Sequence, residues 1–143
     1  MQFHGNQPPS RVAEIIRAAH VFCLPSVRES GGAVLLEAMA CGRPIIAVAF
    51  GGPAEVTEAD VGCPVAAESP EQVTRDIARA LADVFNQPEQ WAERGKLAAA
   101  RARTRYAWDA KVDAAVELYR EILQQSPTPA PAAPRTDPAG TRS

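Results

Sequence analysis

Two glutamates separated by seven residues flank the stretch of this sequence that is best suited to chemistry. Glu29 and Glu37 enclose the pair Gly31-Gly32, after a short apolar run over 21–24 and at the start of a helix-like run. A helix N-terminus carries free N–H groups and a partial positive charge, which favour a phosphate, and glycines there let a ligand approach the backbone. Carboxylates accept hydrogen bonds from hydroxyl groups. The combination predicts a ligand that carries both phosphate and hydroxyl groups, such as a sugar nucleotide.

The residues around Glu37 are otherwise apolar. Residues 33–41 place Ala, Val, Leu, Met or Cys on nearly every side of a helix, which predicts a buried helix. A buried glutamate is costly unless it is paired or faces a ligand cavity. Two interpretations remain open: an ion pair with Arg43 or another cation, or a ligand site given room by the small side chains of Ala33 and Ala40. Glu29 alone could equally be a solvated loop residue.

Strand-like and helix-like patterns alternate along the chain, which predicts an α/β fold with a parallel sheet. Ligands of such sheets bind at the carboxyl ends of the strands, where Gly31-Gly32 and Gly51-Gly52 are expected to lie. Ser10 and Ser69 are the predicted N-caps of two of the helices. The sequence predicts strands over 2–4, 21–24, 44–48 and 61–66, and helices over 10–19, 32–41, 54–58, 70–85, 88–103 and 108–123.

Composition excludes several classes of protein. The 143 residues suit one domain with a formal net charge of −2, so nucleic acid is not an expected partner. Segment 125–143 is rich in Pro and Ala, which predicts a disordered tail after a domain over 1–124. Apolar runs are too short to span a membrane, and no secretory signal is expected. Three widely spaced cysteines without a CxxC pattern indicate reduced core residues, a cytoplasmic location and no metal site.

The sequence resembles the retaining GT-B glycosyltransferases of group 1 (family 4). Glu29 and Glu37 match the E-x7-E signature of that family, and the similarity extends over residues 3–123. The passages that carry it are FHGNQP, VAEIIRAAHVFCLPS, PSVRESGGAVLLEAMACGRPIIAVAFGGPAEV and YAWDAKVDAAVELYREIL, of which LEAMACGRP is highly specific. The resemblance implies a partial Rossmann-like sheet, the C-terminal domain of a GT-B fold, followed by C-terminal helices.

The same resemblance implies an activity and a role for each site residue. The activity is hexose transfer from a nucleotide diphosphate sugar, with no metal and no other cofactor. Glu29 is the implied catalytic residue, beside the donor sugar's hydroxyls and anomeric carbon, and Glu37 binds the ribose. Further donor-binding residues are Ser30, Gly31, Gly32, Ala33 and Val34, and the residues near the base are Gly5, Asn6 and Gln7. Gly31-Gly32 stands where many members have Phe-Gly, which could widen the pocket.

The parts of a GT-B enzyme that this sequence lacks bear on its activity. The acceptor-binding N-terminal domain is absent, and so are the Arg and Lys that the family uses to bind the diphosphate. The resemblance therefore implies a C-terminal, donor-binding part that is inactive alone, because charge stabilisation of a leaving group is commonly the largest catalytic term. The alternative is a non-catalytic remnant or nucleotide-sugar-binding module that needs a partner chain. Dinucleotide and P-loop sites are disfavoured, because no GxGxxG follows a strand and no GxxxxGK[ST] occurs.

Overall fold

The computed structural model of the chain describes residues 1–125. Contacts divide it into two compact units, Met1–Lys111 and the residues from Val112 onward. The predicted tail lies outside the described residues, apart from Gln125, which is helical. In chain order the elements are α1 Pro9–Ala18, β1 Phe22–Leu24, α2 Ala33–Ala40, β2 Ile45–Val48, α3 Gly52–Val56, β3 Gly62–Val65, α4 Pro70–Asn86, α5 Pro88–Arg101, a π-helical segment Ala102–Tyr106 and α6 Trp108–Gln125.

The three strands form one parallel sheet in the order β1-β2-β3. Phe22 pairs with Ile45 across the first interface, and Ile45 pairs with Gly62 across the second. All four residues of β2 are buried, as expected for a central strand covered on both faces. The parallel α/β fold predicted from the sequence is therefore confirmed.

Alternate residues of β2 point into two separate hydrophobic clusters. Ile45 and Ala47 face one cluster, and Ile46 faces the other. The first cluster also contains Ile16 of α1, Leu35, Ala38 and Met39 of α2, Val56, Val61, Ala98 and Ala102. The second also contains Val65, Ala80 of α4 and Trp91 of α5. Helix α2, which begins inside the predicted site, thus packs on the first face of the sheet.

Both ends of α2 are fixed by glycines. Gly42 follows the helix with φ 75°, and its N–H bonds the carbonyl of Met39 at 2.8 Å, so the last carbonyls of α2 are satisfied. Helix α5 packs against α2 and passes close behind this turn. A β-carbon on Gly95 would lie 2.4 Å from the carbonyl oxygen of Gly42, so only glycine permits the observed approach.

One of the two predicted N-caps is confirmed. The Ser69 hydroxyl accepts a hydrogen bond from the backbone N–H of Gln72 at 3.1 Å, and Pro70 occupies the first position of α4. The Ser10 cap is wrong, because α1 begins one residue earlier at Pro9. Proline suits the first helical position, where its fixed φ is already helical and no N–H is needed. Pro8 is the N-cap, and no side chain caps this helix.

Three other predicted elements also differ from the structure. Residues 2–4 form no strand, because no strand within residues 1–125 pairs with them. Helix α3 begins at Gly52 rather than at residue 54, with Pro53 in its first turn. Helix α5 ends at Arg101, and the next five residues are π-helical, with Ala102 buried against the first cluster. A widened turn of this kind adds a residue without breaking the packed face.

Candidate functional site

The predicted site residues lie at the carboxyl edge of the sheet. The loop after β1 leads into α2, and the loop after β2 leads into α3, so the N-termini of both helices lie at this edge. Helix α1 runs directly into β1 and is therefore antiparallel to it, which brings the N-terminus of α1 to the same edge. The topology thus gathers the loop 25–32, the loop 49–51 and residues 5–8 at one side of the molecule.

Glu29 caps the N-terminus of α2 with its side chain. The carboxylate oxygen Oε1 accepts a hydrogen bond from the backbone N–H of Gly32 at 3.3 Å, and the residue is half-buried. Gly32 is the N-cap of α2 and has φ 63° and ψ 31°, a left-handed conformation that favours glycine. A carboxylate at this end of a helix is stabilised by the partial positive charge of the free N–H groups. Glu29 is therefore half-buried and hydrogen-bonded to the start of α2, and it is not a freely solvated loop residue.

The loop after β2 lies directly against the loop that carries Glu29. A β-carbon on Gly51 would lie 2.8 Å from the carbonyl oxygen of Glu29, and one on Gly52 would lie 2.5 Å from that of Ser30. Gly32 in turn packs against the ring of Pro53. Sequence reasoning placed both glycine pairs at this edge but did not predict that their backbones touch. The second Gly-Gly pair is the signal that could have shown it, because adjacent glycines often mark a close backbone approach.

Glu37 is exposed, so the prediction of a helix buried all round is wrong. Leu35, Ala38 and Met39 are buried, while Ala33 and Ala40 are exposed on the side of α2 that Glu37 occupies. The physical reason is that the sheet, α1 and α5 cover α2 on every side except the strip of Ala33, Glu37 and Ala40, where two small alanines have little apolar surface to bury. The helix rises about 6 Å from Ala33 to Glu37, which places this carboxylate one turn beyond the helix N-terminus.

The alternative ion pair between Glu37 and Arg43 is also wrong. The Nη1 atom of Arg43 donates a hydrogen bond to the carbonyl of Ala19 at 2.9 Å and so ties the end of α2 to the end of α1. Among residues 1–125, Glu37 forms no ion pair within 4.0 Å. Its carboxylate is therefore available to an external ligand on an open helix face.

The remaining predicted residues differ in how directly they join this site. Ser30 and Gly31 are exposed between Glu29 and the helix, and Val34 is half-buried in the first turn of α2. Gly5 and its neighbours lie before α1, which packs against α2. Gly5 has φ 62°, and the side-chain amide of Gln7 donates to the carbonyl of His4 at 2.5 Å, which closes a local turn. The structure shows no hydrogen bond between this turn and the Glu29 loop within the described part of the chain.

A large groove at this edge does not contain the predicted residues. It has a volume of about 830 Å³ and runs between Pro25, Val27 and Phe50 on one side and α4 on the other. It lies on the opposite face of the sheet from α2, and its lining is mostly apolar. The two carboxylates and the free N–H groups at the start of α2 suit a sugar nucleotide better than this apolar lining, so we assign the candidate site there. Size alone does not make the groove a better candidate.

Residues 1–98 match the family of glycosyl transferases group 1. The chain belongs to the group 1 glycosyltransferases. The match includes both glutamates, both glycine pairs and the turn at Gly5, so every predicted site residue falls within the family region. The family resemblance drawn from the sequence is confirmed, and the partial Rossmann-like sheet is that of a GT-B glycosyltransferase.

Curated relatives of this group 1 glycosyltransferase chain are much longer than the chain itself. It is 37% identical over 119 residues to the D-inositol 3-phosphate glycosyltransferase of Segniliparus rotundus. The aligned residues make up 82% of this chain and 25% of that relative. It is 36% identical over 124 residues to the protein of the same name from Streptomyces griseus subsp. griseus. The aligned residues make up 86% of this chain and 25% of that relative. The chain thus spans about a quarter of the length of these relatives.

A solved structure also matches this group 1 glycosyltransferase chain. It is a sucrose-phosphate synthase from Thermosynechococcus elongatus, with a TM-score of 0.73 and 29% sequence identity. The match covers 87% of this chain and 31% of the other. The strands and helices described above therefore recur with the same arrangement in a larger GT-B protein.

Within residues 1–125, no group of three or more His, Cys, Asp or Glu side chains is arranged to hold a metal ion. In the same part of the chain, no helix is both long enough and apolar enough to cross a membrane. The expectation that the reaction needs no metal stays a prediction.

Proposed function

We propose that this chain is the donor-binding part of a retaining hexosyltransferase that uses a nucleotide diphosphate sugar. The observation that carries the proposal is the pair of carboxylates, Glu29 and Glu37, at the start of α2 in a chain of this family. One carboxylate is held at the helix N-terminus, a second is exposed one turn later, and no described side chain neutralises the second. The acceptor-binding domain, and the Arg and Lys for the diphosphate, are parts of such an enzyme that this sequence does not include.

Each part of the donor would meet a matching group on α2. The N–H groups of Ala33 and Val34 lie in the first turn, where helical hydrogen bonding leaves N–H groups free, and they suit the diphosphate or the sugar. Glu37 would accept hydrogen bonds from the two ribose hydroxyls, and its exposed alanine neighbours leave space for the ring. Residues Gly5 to Gln7, at the same edge of the sheet, would lie beside the base.

Glu29 would act on the donor sugar. Its carboxylate is oriented by the Gly32 N–H and lies beside the first turn of α2, close to where the diphosphate would bind. In that position it can accept a hydrogen bond from a sugar hydroxyl and stabilise the positive charge that develops at the anomeric carbon as the bond to the diphosphate breaks. Electrostatic stabilisation of this kind requires a charge that is already in place before the reaction.

The isolated chain is expected to bind donor without transferring sugar. Without the Arg and Lys the leaving diphosphate lacks its main countercharges, and without the acceptor domain no nucleophile is positioned. The three cysteines, Cys23, Cys41 and Cys63, form no disulfides, which supports our proposal of a reducing, cytoplasmic environment. If binding also fails in a folded chain, the alternative of a non-catalytic remnant gains support.

Calorimetry with nucleoside diphosphates and nucleotide sugars tests this proposal. The panel is UDP, GDP and ADP with their glucose or mannose conjugates, and the variant is Glu37→Gln. Glutamine keeps one acceptor oxygen, so Glu37→Gln loses about one hydrogen bond to a charged group, worth about 1.5 to 3 kcal/mol, and weakens binding about 10-fold to 150-fold.

Glu89→Gln is the matched control for this experiment. Glu89 is an exposed glutamate at the start of α5, at the other edge of the sheet from the proposed site. The control should change affinity less than 2-fold, because its carboxylate lies far from the ligand. The proposal is contradicted if no member of the panel binds to the folded chain, or if both variants weaken binding equally.

A further inference from the structure

The loops that follow β1 and β2 are in backbone-to-backbone contact. A β-carbon on Gly52 would lie 2.5 Å from the carbonyl oxygen of Ser30 and 2.7 Å from Cα of Gly31. Gly51 makes a similar approach to the carbonyl oxygen of Glu29, at 2.8 Å. The Gly51-Gly52 segment thus lies against three consecutive residues of the loop that leads into α2.

Neither loop can yield easily at this contact. The atoms that a Gly52 β-carbon would meet belong to the backbone rather than to the end of a flexible side chain. On the far side, Gly32 packs against the ring of Pro53, which is buried. Beyond Gly52, the carbonyl of Gly51 accepts a hydrogen bond from Ala54 at 3.0 Å and so holds the start of α3. A side chain at position 52 must therefore displace Ser30 and Gly31, by about half an ångström to reach even a 3.0 Å contact.

That displacement would act directly on Glu29. The displaced residues connect Glu29 to Gly32, which are the acceptor and the donor of the hydrogen bond that orients the carboxylate. This bond is 3.3 Å long, already slightly beyond the usual range for N–H···O bonds. A further shift of half an ångström in the intervening backbone would break the bond and free the carboxylate.

We propose that Gly52 is a positioning residue for Glu29. Its lack of a side chain lets the β2 loop support the β1 loop, and this support keeps the Glu29 carboxylate on the N-terminus of α2. The consequence for the sugar donor rests on the proposed function, whereas the contact and its effect on Glu29 do not. Misplacement of a reacting group by about 1 Å can cost about 100-fold in rate, so a support of this kind matters to chemistry.

The first test uses the chain without any ligand. The backbone amide of Gly32 is hydrogen-bonded to the Glu29 carboxylate, so Glu29→Gln should change the NMR chemical shifts of that amide at constant pH. In a Gly52→Ala chain, where the carboxylate no longer reaches this amide, the shift change that Glu29→Gln causes at Gly32 should fall by more than half. A folded Gly52→Ala chain in which Glu29→Gln still causes the full shift change would overturn the proposal.

Gly31→Ala is the matched control for loop geometry. A β-carbon on Gly31 meets no atom within 4 Å, and Gly31 is not in the left-handed region, so Gly31→Ala should keep the full effect of Glu29→Gln on the Gly32 amide. An equal loss in both variants would contradict the role of Gly52. If Gly52→Ala does not fold, the unmodified chain still provides a test. Its α protons of Gly52 and Gly31 must show a nuclear Overhauser effect, and its absence would also overturn the proposal.

A second test concerns the donor. With whichever nucleotide sugar binds in calorimetry, Gly52→Ala should weaken binding at least 5-fold, with Glu89→Gln as the unaffected control. If the unmodified chain binds no nucleotide sugar, the proposed function fails, while the effect of Glu29→Gln on the Gly32 amide still decides the role of Gly52. If Gly52→Ala binds the donor normally but has lost that effect at the Gly32 amide, Gly52 positions Glu29 without influencing the donor, and the link to the donor is wrong.

Discussion

Gly95 is the point where α5 passes closest to the turn after α2, and replacing it with alanine should destabilise the fold. The added β-carbon would lie 2.4 Å from the carbonyl oxygen of Gly42 and 3.1 Å from Cδ of Pro44. One neighbour is a backbone carbonyl and the other is a proline ring, so neither can rotate away. The turn or the helix must move, and α2 moves with the turn because Gly42 follows it directly.

Two opposing terms decide the size of the effect. Alanine in place of glycine inside a helix gains about 1 kcal/mol in helix propensity. Overpacking a tight contact costs about 1 to 3 kcal/mol, and a contact of 2.4 Å with backbone belongs at the upper end of this range. We therefore expect Gly95→Ala to lower the free energy of unfolding by about 1 to 2 kcal/mol. For an m-value of about 2 kcal/mol/M, the urea midpoint falls by about 0.5 to 1 M.

Urea denaturation followed by circular dichroism measures this change. Ala100→Gly is the control, because Ala100 is exposed in the same helix and its replacement should cost only the propensity term of about 1 kcal/mol. Gly95→Ala could instead raise the urea midpoint by as much as Ala100→Gly lowers it. That result would mean that helix propensity alone determines the effect at position 95. The close contact between α5 and the turn would then not exist.

Two further predictions concern ionic and aromatic contacts. Arg101 donates hydrogen bonds to both carboxylate oxygens of Asp60, which lowers the pKa of that carboxyl. Stability from a lowered carboxyl pKa is present above the unfolded value of about 3.9 and is lost as pH falls through the folded value. Asp60→Asn should therefore cost at most about 1 kcal/mol at pH 7, because the pair is partly exposed, and the difference should vanish near pH 2 in denaturation curves. Trp91 is buried and its Nε1 donates a hydrogen bond to Asp83 at 2.9 Å, so Trp91→Phe should lower the free energy of unfolding by about 1 to 3 kcal/mol. Trp108 is exposed, so Trp108→Phe should change this free energy by less than about 0.5 kcal/mol. Equal effects in denaturation curves would contradict the assigned packing.

The sheet could be predicted because its determinants are local in the sequence. The continuous apolar run at Ile45–Val48 is typical of a central parallel strand, and this is what the structure shows. Ser69 followed by Pro70 likewise predicted the start of α4, because capping depends on adjacent residues. Whether residues 2–4 form a strand could not be predicted from local residue types. A strand exists only with a hydrogen-bonded neighbour, and the residues themselves do not reveal whether one is present.

For the candidate site, the sequence predicted the edge of the sheet where its residues lie but not their exposure or their contacts. Sequence reasoning assigned Glu29, Glu37 and the glycines to one edge, but it placed Glu37 on a buried helix. Apolar side chains on all sides indicate what a helix can bury, not which of its faces are covered, and the face of α2 that carries Ala33, Glu37 and Ala40 is left uncovered. The contact of Gly52 with Ser30 was missed because a backbone contact leaves no side-chain pattern to detect.

The most direct test of the account is an amide-resolved NMR titration of the chain with UDP, GDP and ADP. The central claim is that the N-terminus of α2 is the donor half-site. It predicts that one nucleotide shifts the amides of Ala33 and Val34 in a saturable way, and that Glu37→Gln weakens this binding about 10-fold or more. Saturable shifts confined to the apolar groove beside α4, or no shifts in a folded chain, would contradict the claim.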